Sequence, residues 1–139
     1  MTRLEFSDSV VVDVTPDELY ALVSDVTRMG EWSPEGGSEA TGDIVAARTW
    51  ETRSQVVAAD AGREFAWEVN NGWVRWGFTV EPAGDGSRLT ESWHFLPTGI
   101  AGFGERFGDQ AQAEIQKRSA AALSGIPQTL AAIKATAEA

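Results

Sequence analysis

Hydrophobic and polar residues alternate with a period of two through residues 63–95, REFAWEVNNGWVRWGFTVEPAGDGSRLTESWHF. Asn71-Gly72 and Asp85-Gly86 interrupt this alternation, and such dipeptides favour tight turns because they tolerate positive φ angles. We therefore predict a three-stranded antiparallel meander in which side chains alternate between two faces. One face is rich in aromatic residues, and its members are Phe65, Trp67, Val69, Val74, Trp76, Phe78, Leu89, Glu91, Trp93 and Phe95.

A turn at Asn71-Gly72 also fixes the register of the first two strands. Trp67 then lies opposite Trp76 on the aromatic face, and Glu68 lies opposite Arg75 on the other face. The third strand is less constrained, because a slip of two residues would leave both faces unchanged.

Upstream of the meander, the pattern predicts one strand and then two short helices. Enrichment in β-branched residues favours a strand over Leu4–Val12. The sequence TPDE at residues 15–18 combines a capping threonine, a first-turn proline and a capping-box acid, so a helix begins there and ends near Ser24. A second short helix is predicted over Val26–Trp32, before the helix-stopping Pro34.

The segment between the helices and the meander is predicted to contain one further long strand. Residues 35–47 are loop-like in composition, with a short strand at residues 44–47. Residues 48–59 read as a longer strand that enters the meander through a tight turn at Ala61-Gly62. This register places four more residues on the aromatic face, namely Trp50, Thr52, Ser54 and Val56.

The C-terminal part is predicted to be a loop followed by a long helix. Residues 97–104, PTGIAGFG, are Gly-rich and loop-like, whereas the chain from Glu105 onward is rich in Ala, Gln, Glu and Lys. Gly125 and Pro127 are expected to kink or split this helix. Since no other element is long enough to cover the aromatic face, we expect one α+β domain over residues 1–139, with a space between sheet and helix.

Composition narrows the classes of function. The 139 residues include 21 acidic and 11 basic side chains, a formal net charge of -10, which disfavours nucleic acid and anionic membranes as partners. There is no Cys and one His, which argues against disulfides, thiolate zinc sites and multi-His metal sites. No stretch approaches the ~20 apolar residues of a membrane span. We expect a cytoplasmic protein without metal, cofactor or stable membrane insertion.

Five segments resemble a known protein superfamily. They are residues 22–35 (LVSDVTRMGEWSPE), 56–65 (VVAADAGREF), 78–82 (FTVEP), 84–93 (GDGSRLTESW) and 129–134 (TLAAIK). They are similar to the SRPBCC superfamily, also called START-like or Bet v 1-like, and within it to the polyketide cyclase/dehydrase group.

This resemblance implies a helix-grip fold, in which a curved antiparallel sheet wraps around a long C-terminal helix. It also implies a hydrophobic cavity for lipids, sterols, polyketides, quinones or other aromatic molecules, but it carries over no catalytic signature. Two features depart from the family pattern. The region before Trp50 looks shortened, and Pro127 lies where relatives have continuous helix.

Glu91 is the most informative polar residue. Its parity places it beside Leu89 and Trp93, where loss of solvent would raise the pKa of its carboxyl group. Such a group suits general acid/base catalysis or a hydrogen bond to a ligand. The alternative is a structural carboxylate that pairs with an Arg or lies in water at the open end. His94 falls on the outer face and is interpreted as a solvated strand residue.

The other candidate residues are ligand contacts, and each has a structural alternative. Thr52 and Ser54 would orient a polar ligand end or satisfy nearby backbone groups. Phe103 and Phe107 would form a mobile lid or the first core contacts of the long helix. Trp32 would line the pocket mouth or anchor the short helices. The predicted ligand contacts are Trp32, Trp50, Thr52, Ser54, Trp67, Trp76, Phe78, Trp93, Phe103 and Phe107.

Three functions therefore remain open from the sequence. The first is a protein that binds a hydrophobic or aromatic small molecule. The second is a cyclase or dehydratase of aromatic polyketide-like substrates that uses Glu91 as general acid or base. The third is an interaction module with a fully packed interior and no small ligand.

Overall fold

The computed structural model describes residues 3–25, 44–45, 48–49, 54–69 and 72–139. Within these ranges the chain forms seven strands and three α-helices. The strands are β1 (Glu5–Val12), β2 (Ile44–Val45), β3 (Arg48–Thr49), β4 (Ser54–Asp60), β5 (Glu64–Val69), β6 (Val74–Ala83) and β7 (Gly86–Phe95). The helices are α1 (Pro16–Val23), α2 (Pro97–Phe107) and α3 (Ala111–Glu138), with a 3-10 turn at Gly108–Gln110 between the last two.

Five strands form one curved antiparallel sheet in the order β1-β7-β6-β5-β4, while β2 and β3 form a separate two-stranded pair. Together with the long C-terminal helix, this sheet confirms the predicted α+β helix-grip fold. The predicted first short helix is α1, where Thr15 accepts a hydrogen bond from the Glu18 N–H at 3.2 Å. The predicted second short helix, Val26–Trp32, lies outside the described residues.

Two predicted pairings of the central strands are confirmed, whereas a register shift between Val56 and Ala58 pairs Asp60 with Glu64 instead of Arg63, the partner that a two-residue turn at Ala61-Gly62 requires. Trp67 lies opposite Trp76, and Ser54 lies opposite Val69. On the outer face the pair of Glu68 and Arg75 forms a salt bridge with an N···O distance of 3.5 Å.

The turn between β6 and β7 lies one residue earlier than predicted. Ala83 pairs with Gly86, so the turn is formed by Gly84 and Asp85, and Gly84 takes the positive φ of 61°. Gly86 is needed for a different reason, because a Cβ at this position would overlap the Val12 carbonyl. The prediction assigned the wrong glycine to the turn but left the two faces of β7 unchanged.

The prediction of a Gly-rich loop at residues 97–104 is wrong, because these residues belong to helix α2. Pro97 occupies the first turn, where its missing N–H has no helical partner to lose. Gly99 and Gly102 face Trp73, and a Cβ at either position would overlap it. The glycines therefore allow close helix packing rather than loop formation.

The expected split of the C-terminal helix near Gly125 and Pro127 is wrong, because one helix spans both residues. α3 runs for 28 residues from Ala111 to Glu138 with Pro127 inside it, and Gly108, at a φ of 54°, separates it from α2. Pro127 itself is exposed, whereas Ile126 and Leu130 on either side are 1% and 2% exposed. Packing of these neighbours compensates for the hydrogen bond that proline removes.

The core lies between the helices and the inner face of the sheet, which we define as the face carrying Phe78, Leu89, Trp93 and Phe95. α3 makes its main sheet contacts with β1 and β7 and also packs on α2, while α1 packs on β5, β6 and β7. The fully buried side chains include Val12, Leu19, Val23, Phe78, Leu89, Phe95, Ile126 and Ile133. Among the described helices, none is long and apolar enough to cross a bilayer.

Candidate functional site

Glu91 lies at the centre of the inner face. It is 4% exposed and follows the alternation of β7 between Leu89, at 0%, and Trp93, at 2%. The register sets it opposite Phe78 on β6 and opposite Asp8 on β1. Glu91 thus places a carboxyl group on the inner face, as its position in the alternation predicted, with Asp8 as its cross-strand neighbour on β1.

The aromatic residues around Glu91 divide into a buried and a partly exposed group. Trp93 and Phe95 on β7 are 2% and 1% exposed, and we call them with Leu89 the closed strip. The second group, which we call the open patch, is partly exposed, and its members are Trp67, Val69, Val74 and Trp76. The two groups share one face, because Trp76 pairs with Trp93 and Val74 pairs with Phe95.

The position of α3 explains this division. The helix packs mainly over β1 and β7, so it covers the closed strip more completely than the open patch. The Trp67 ring packs against the rings of Phe65 and Phe78, with centroids 5.9 Å apart in both cases. These contacts hold Trp67 in place in the open patch. Val56, opposite Trp67 on the neighbouring β4, is 48% exposed. The partly exposed apolar surface therefore extends across three adjacent strands.

The buried stripe of α3 carries small side chains in its middle turns. Ile115 and Ile133 mark the two ends, whereas Ser119, Ala122 and Gly125 lie between them and are buried. Small residues fill less of the space above a sheet than Leu or Ile would at the same positions. Between the two end isoleucines, the buried stripe therefore combines these small side chains with Ile126 and Leu130.

Two buried hydroxyl groups on α3 were missed by the sequence analysis. Ser119 is 6% exposed and Thr129 is 4% exposed, and both belong to the stripe that faces the sheet. Their helical spacing with Ala122 and Ile126 was the signal that could have found them. They add two buried polar side chains on the helix to the buried Glu91 on the sheet.

Phe103 is a packing residue of α2. It is 6% exposed, and its ring centroid lies 4.9 Å from Phe95, 5.8 Å from Trp73 and 5.0 Å from Phe107. The Arg118 guanidinium lies over the same ring at 5.6 Å. Of the two interpretations of Phe103 and Phe107, this geometry favours core contacts over a mobile lid.

Trp73, which the sequence analysis did not include among the candidates, holds α2 in place. Its carbonyl accepts a hydrogen bond from the Leu96 N–H at 2.9 Å, and its indole fits against Gly99 and Gly102. The i, i+3 spacing of those glycines was the available signal, because it creates a flat strip on one side of a helix.

The structure does not place the remaining candidate residues beside Glu91 and the aromatic residues of the inner face, as far as it describes them. Trp32, Trp50 and Thr52 lie outside those residues, and of Ser54 the structure describes its place in β4. His94 is exposed on the outer face, where its Nε2 lies 3.7 Å from a Glu5 carboxylate oxygen. No group of three His, Asp or Glu side chains in the described ranges converges to hold a metal ion.

Comparisons with known proteins agree with this architecture. The family model described as "Polyketide cyclase / dehydrase and lipid transport" matches residues 3–138. A search of curated proteins found no match.

Among solved structures, the Polyketide_cyc-like protein from Corynebacterium glutamicum is 45% identical, with a TM-score of 0.68 over 94% of this chain and 89% of that one. The di-domain ARO/CYC protein StfQ of the steffimycin biosynthetic pathway is 15% identical, with a TM-score of 0.62 over 97% of this chain and 50% of that one. A Mesorhizobium loti protein is 16% identical, with a TM-score of 0.61 over 94% of both chains. The last two structures share the fold with this chain. Because the family model matches residues 3–138, this chain belongs to the polyketide cyclase/dehydrase and lipid transport family.

Proposed function

We propose that the protein binds a hydrophobic or aromatic small molecule, such as a lipid, a polyketide or an isoprenoid-like compound, between the open patch and α3. The observation that carries this proposal is the contrast between Trp76 and Trp93. They are direct cross-strand partners on one face, yet Trp93 is buried and Trp76 is partly exposed. A ligand over Trp76 and Trp67 would complete the burial that the helix completes for Trp93.

Burial of apolar surface supplies the affinity. At roughly 25 cal/mol per Å², covering the remaining exposed area of two Trp side chains stabilises a complex by on the order of 1–3 kcal/mol. The ligand's own apolar surface adds to this amount, and the loss of translational and rotational freedom opposes it. A ligand with several rings or a long alkyl chain fits this balance better than a small polar metabolite.

Glu91 would orient the ligand. Its carboxyl group can accept hydrogen bonds in either protonation state and can donate one when it is protonated. A ligand carbonyl or hydroxyl group is a suitable partner for such a group. Ser119 and Thr129 on α3 would contact polar atoms on the opposite side of the same ligand.

Native mass spectrometry of freshly purified protein, combined with melting-temperature shifts across a lipid and polyketide panel, tests this proposal. We expect a retained species or a stabilising compound in the panel. Absence of both would contradict ligand binding.

A matched pair of substitutions on α3 locates the binding space. Ala122→Leu adds three carbon atoms to the buried stripe, whereas Ala120→Leu makes the same change on the exposed side of the helix. If a binding space exists, Ala122→Leu should fold normally and lose the ligand, and Ala120→Leu should retain it. A fully packed interior would instead make Ala122→Leu destabilising by about 1–3 kcal/mol.

The burial of Glu91 favours a second candidate, a cyclase or dehydratase that acts on an aromatic polyketide-like substrate. In this role the Glu91 carboxylate would remove a proton from a CH₂ group between two carbonyls. The resulting carbanion would attack a ketone of the same chain, and the protonated Glu91 would return the proton to the new alkoxide before water is lost.

Turnover of a poly-β-ketone mimic, followed by mass spectrometry, tests this candidate. We expect Glu91→Gln to bind the mimic and fail to convert it, while Glu81→Gln, a change on the exposed outer face, keeps full turnover. Unchanged turnover in Glu91→Gln would exclude Glu91 as the acid/base group.

A further inference from the structure

Among the described strands, β1 lies at one edge of the main sheet, with β7 on its other side. In an antiparallel ladder, successive residues turn their backbone N–H and C=O groups alternately toward and away from the partner strand. The Leu4 carbonyl accepts a hydrogen bond from the Phe95 N–H, so even-numbered positions face the β7 side. The odd-numbered residues of β1 therefore present their backbone groups at the free edge.

Side chains occupy three consecutive positions along this free edge. The Asp8 carboxylate accepts a hydrogen bond from the Ser9 N–H at 2.9 Å. The Lys134 ammonium donates to the Val11 carbonyl at 2.7 Å, and the Glu138 carboxylate accepts from the Asp13 N–H at 2.9 Å. Residues 9, 11 and 13 of the edge are thus each bound by a charged side chain.

Lys134 and Glu138 act as one unit. Their side chains form a salt bridge of 2.7 Å at i, i+4 spacing near the end of α3. The hydrogen bond from Lys134, followed by that from the Asp13 backbone, lowers the pKa of the Glu138 carboxyl below its ordinary value. The carboxylate is therefore held in its ionised form, which is the form that accepts both bonds.

The sequence of β1 favours pairing of this strand with another β-strand. Val10, Val11 and Val12 are consecutive, and Val11 is 46% exposed. β-Branched residues on an unpaired edge provide a template for another strand, and charged side chains, especially Lys, are a common means of blocking it. A groove of about 520 Å³ lies between Asp8, Ser9 and Val10 of β1 and the last turns of α3, and Lys134 and Glu138 are part of its lining.

We propose that Lys134 and Glu138 form an edge guard, which binds the free backbone groups of β1 and prevents this strand from pairing with β1 of a second copy of the chain. The proposal does not depend on the ligand-binding function, because it concerns the outer edge of the sheet rather than its inner face. Its partner is a second copy of this chain, since the same Val-rich edge is present on every copy and two β1 strands can pair antiparallel about a two-fold axis.

Sedimentation velocity over a concentration series tests the guard. The variant K134M/E138Q leaves the net charge unchanged, removes the ammonium that binds the Val11 carbonyl and replaces the charged acceptor of the Asp13 N–H with a neutral, weaker one. We expect its average mass to rise with concentration from the wild-type value toward twice that value. The matched control is E114Q/K117M, which neutralises a 3.1 Å pair on the same helix and should sediment as the wild type does.

A third variant identifies the surface that associates. Ser7→Pro in the K134M/E138Q background removes a free-edge N–H, and proline is tolerated on edge strands. We expect this change to return the protein to wild-type sedimentation. Wild-type behaviour of K134M/E138Q, equal association of the E114Q/K117M control, or association that survives Ser7→Pro would each overturn the proposal.

Hydrogen exchange of the wild-type protein gives a test that needs no substitution. After correction for intrinsic rates, the Asp13 amide should exchange at least about fivefold more slowly than the Ser7 amide, since one is bound by the guard and the other is not. Equal rates at the two positions would contradict the guard even if the variants failed to fold.

Discussion

The closed strip and the open patch are built from the same kinds of residue on the same face of one sheet. Trp93 and Trp76 lie directly opposite each other, and Phe95 lies opposite Val74. Their different exposure follows from the position of α3, which packs mainly on β1 and β7. Residue type and strand parity therefore determine the face of a side chain, whereas tertiary packing determines whether that side chain is covered.

Removal of one indole from each region should give the largest difference in the free energy of unfolding. Trp93→Ala in the closed strip should lower the free energy of unfolding by about 3–5 kcal/mol, the usual cost of a Trp-to-Ala cavity in a core. Trp76→Ala should cost less than half as much, because its side chain is already partly exposed. Urea unfolding followed by circular dichroism measures both values. Equal losses would mean that the open patch is packed like the core.

In a ligand-binding assay, Trp76→Ala should have a larger effect than Trp93→Ala, which is the reverse of their order in stability. Trp76→Ala removes a proposed wall of the site and should weaken binding of any compound that stabilises the wild type. A compound that still stabilises Trp76→Ala to the wild-type extent would place its site elsewhere.

A glycine pair on α2 tests how the end of the closed strip is covered. Gly102→Ala forces a methyl group against the Trp73 indole, and overpacking of this kind costs about 1–3 kcal/mol. Gly104→Ala has open space around the added methyl group, so it should stabilise the helix by about 0.5–1 kcal/mol. Thermal unfolding of both variants checks the opposite signs. Two stabilising substitutions would show that α2 does not depend on close contact with Trp73.

The smallest expected effect is on the pKa of Glu138, whose carboxylate attaches α3 to the end of β1 beside the closed strip. Because the pKa of Glu138 is lowered in the folded state, its contribution to stability is present above the unfolded pKa and is lost as pH falls through the folded pKa. The facing groups are the Lys134 ammonium and the Asp13 backbone N–H, with the Asp13 carboxylate nearby. We expect Lys134→Met to raise the pKa of Glu138 toward 4.5 in an NMR titration. An unchanged titration would mean that Lys134 does not hold this carboxylate.

The faces and most registers of the sheet could be predicted from local patterns. Asn71-Gly72 fixed the pairing of Trp67 with Trp76, and alternation placed Glu91 between Leu89 and Trp93 on the inner face. These features depend on neighbours in sequence, so sequence alone contains the information.

Features that depend on distant contacts were predicted less well. Gly99 and Gly102 suggested a loop, because the residue that they contact, Trp73, lies 26 and 29 positions earlier in the chain. The continuity of α3 through Pro127 likewise depends on the packing of Ile126 and Leu130 against the sheet. Ser119 and Thr129 were missed because the depth of a helix face depends on where the helix lies.

We expect a ligand to occupy the open patch and to leave the closed strip unchanged. Indole N–H resonances of the Trp residues, recorded by NMR during titration with a compound that raises the melting temperature, test this claim most directly. We predict large shifts for Trp67 and Trp76 and a much smaller shift for Trp93. Shifts confined to other Trp residues, or no shift at Trp67 and Trp76 at saturation, would contradict it.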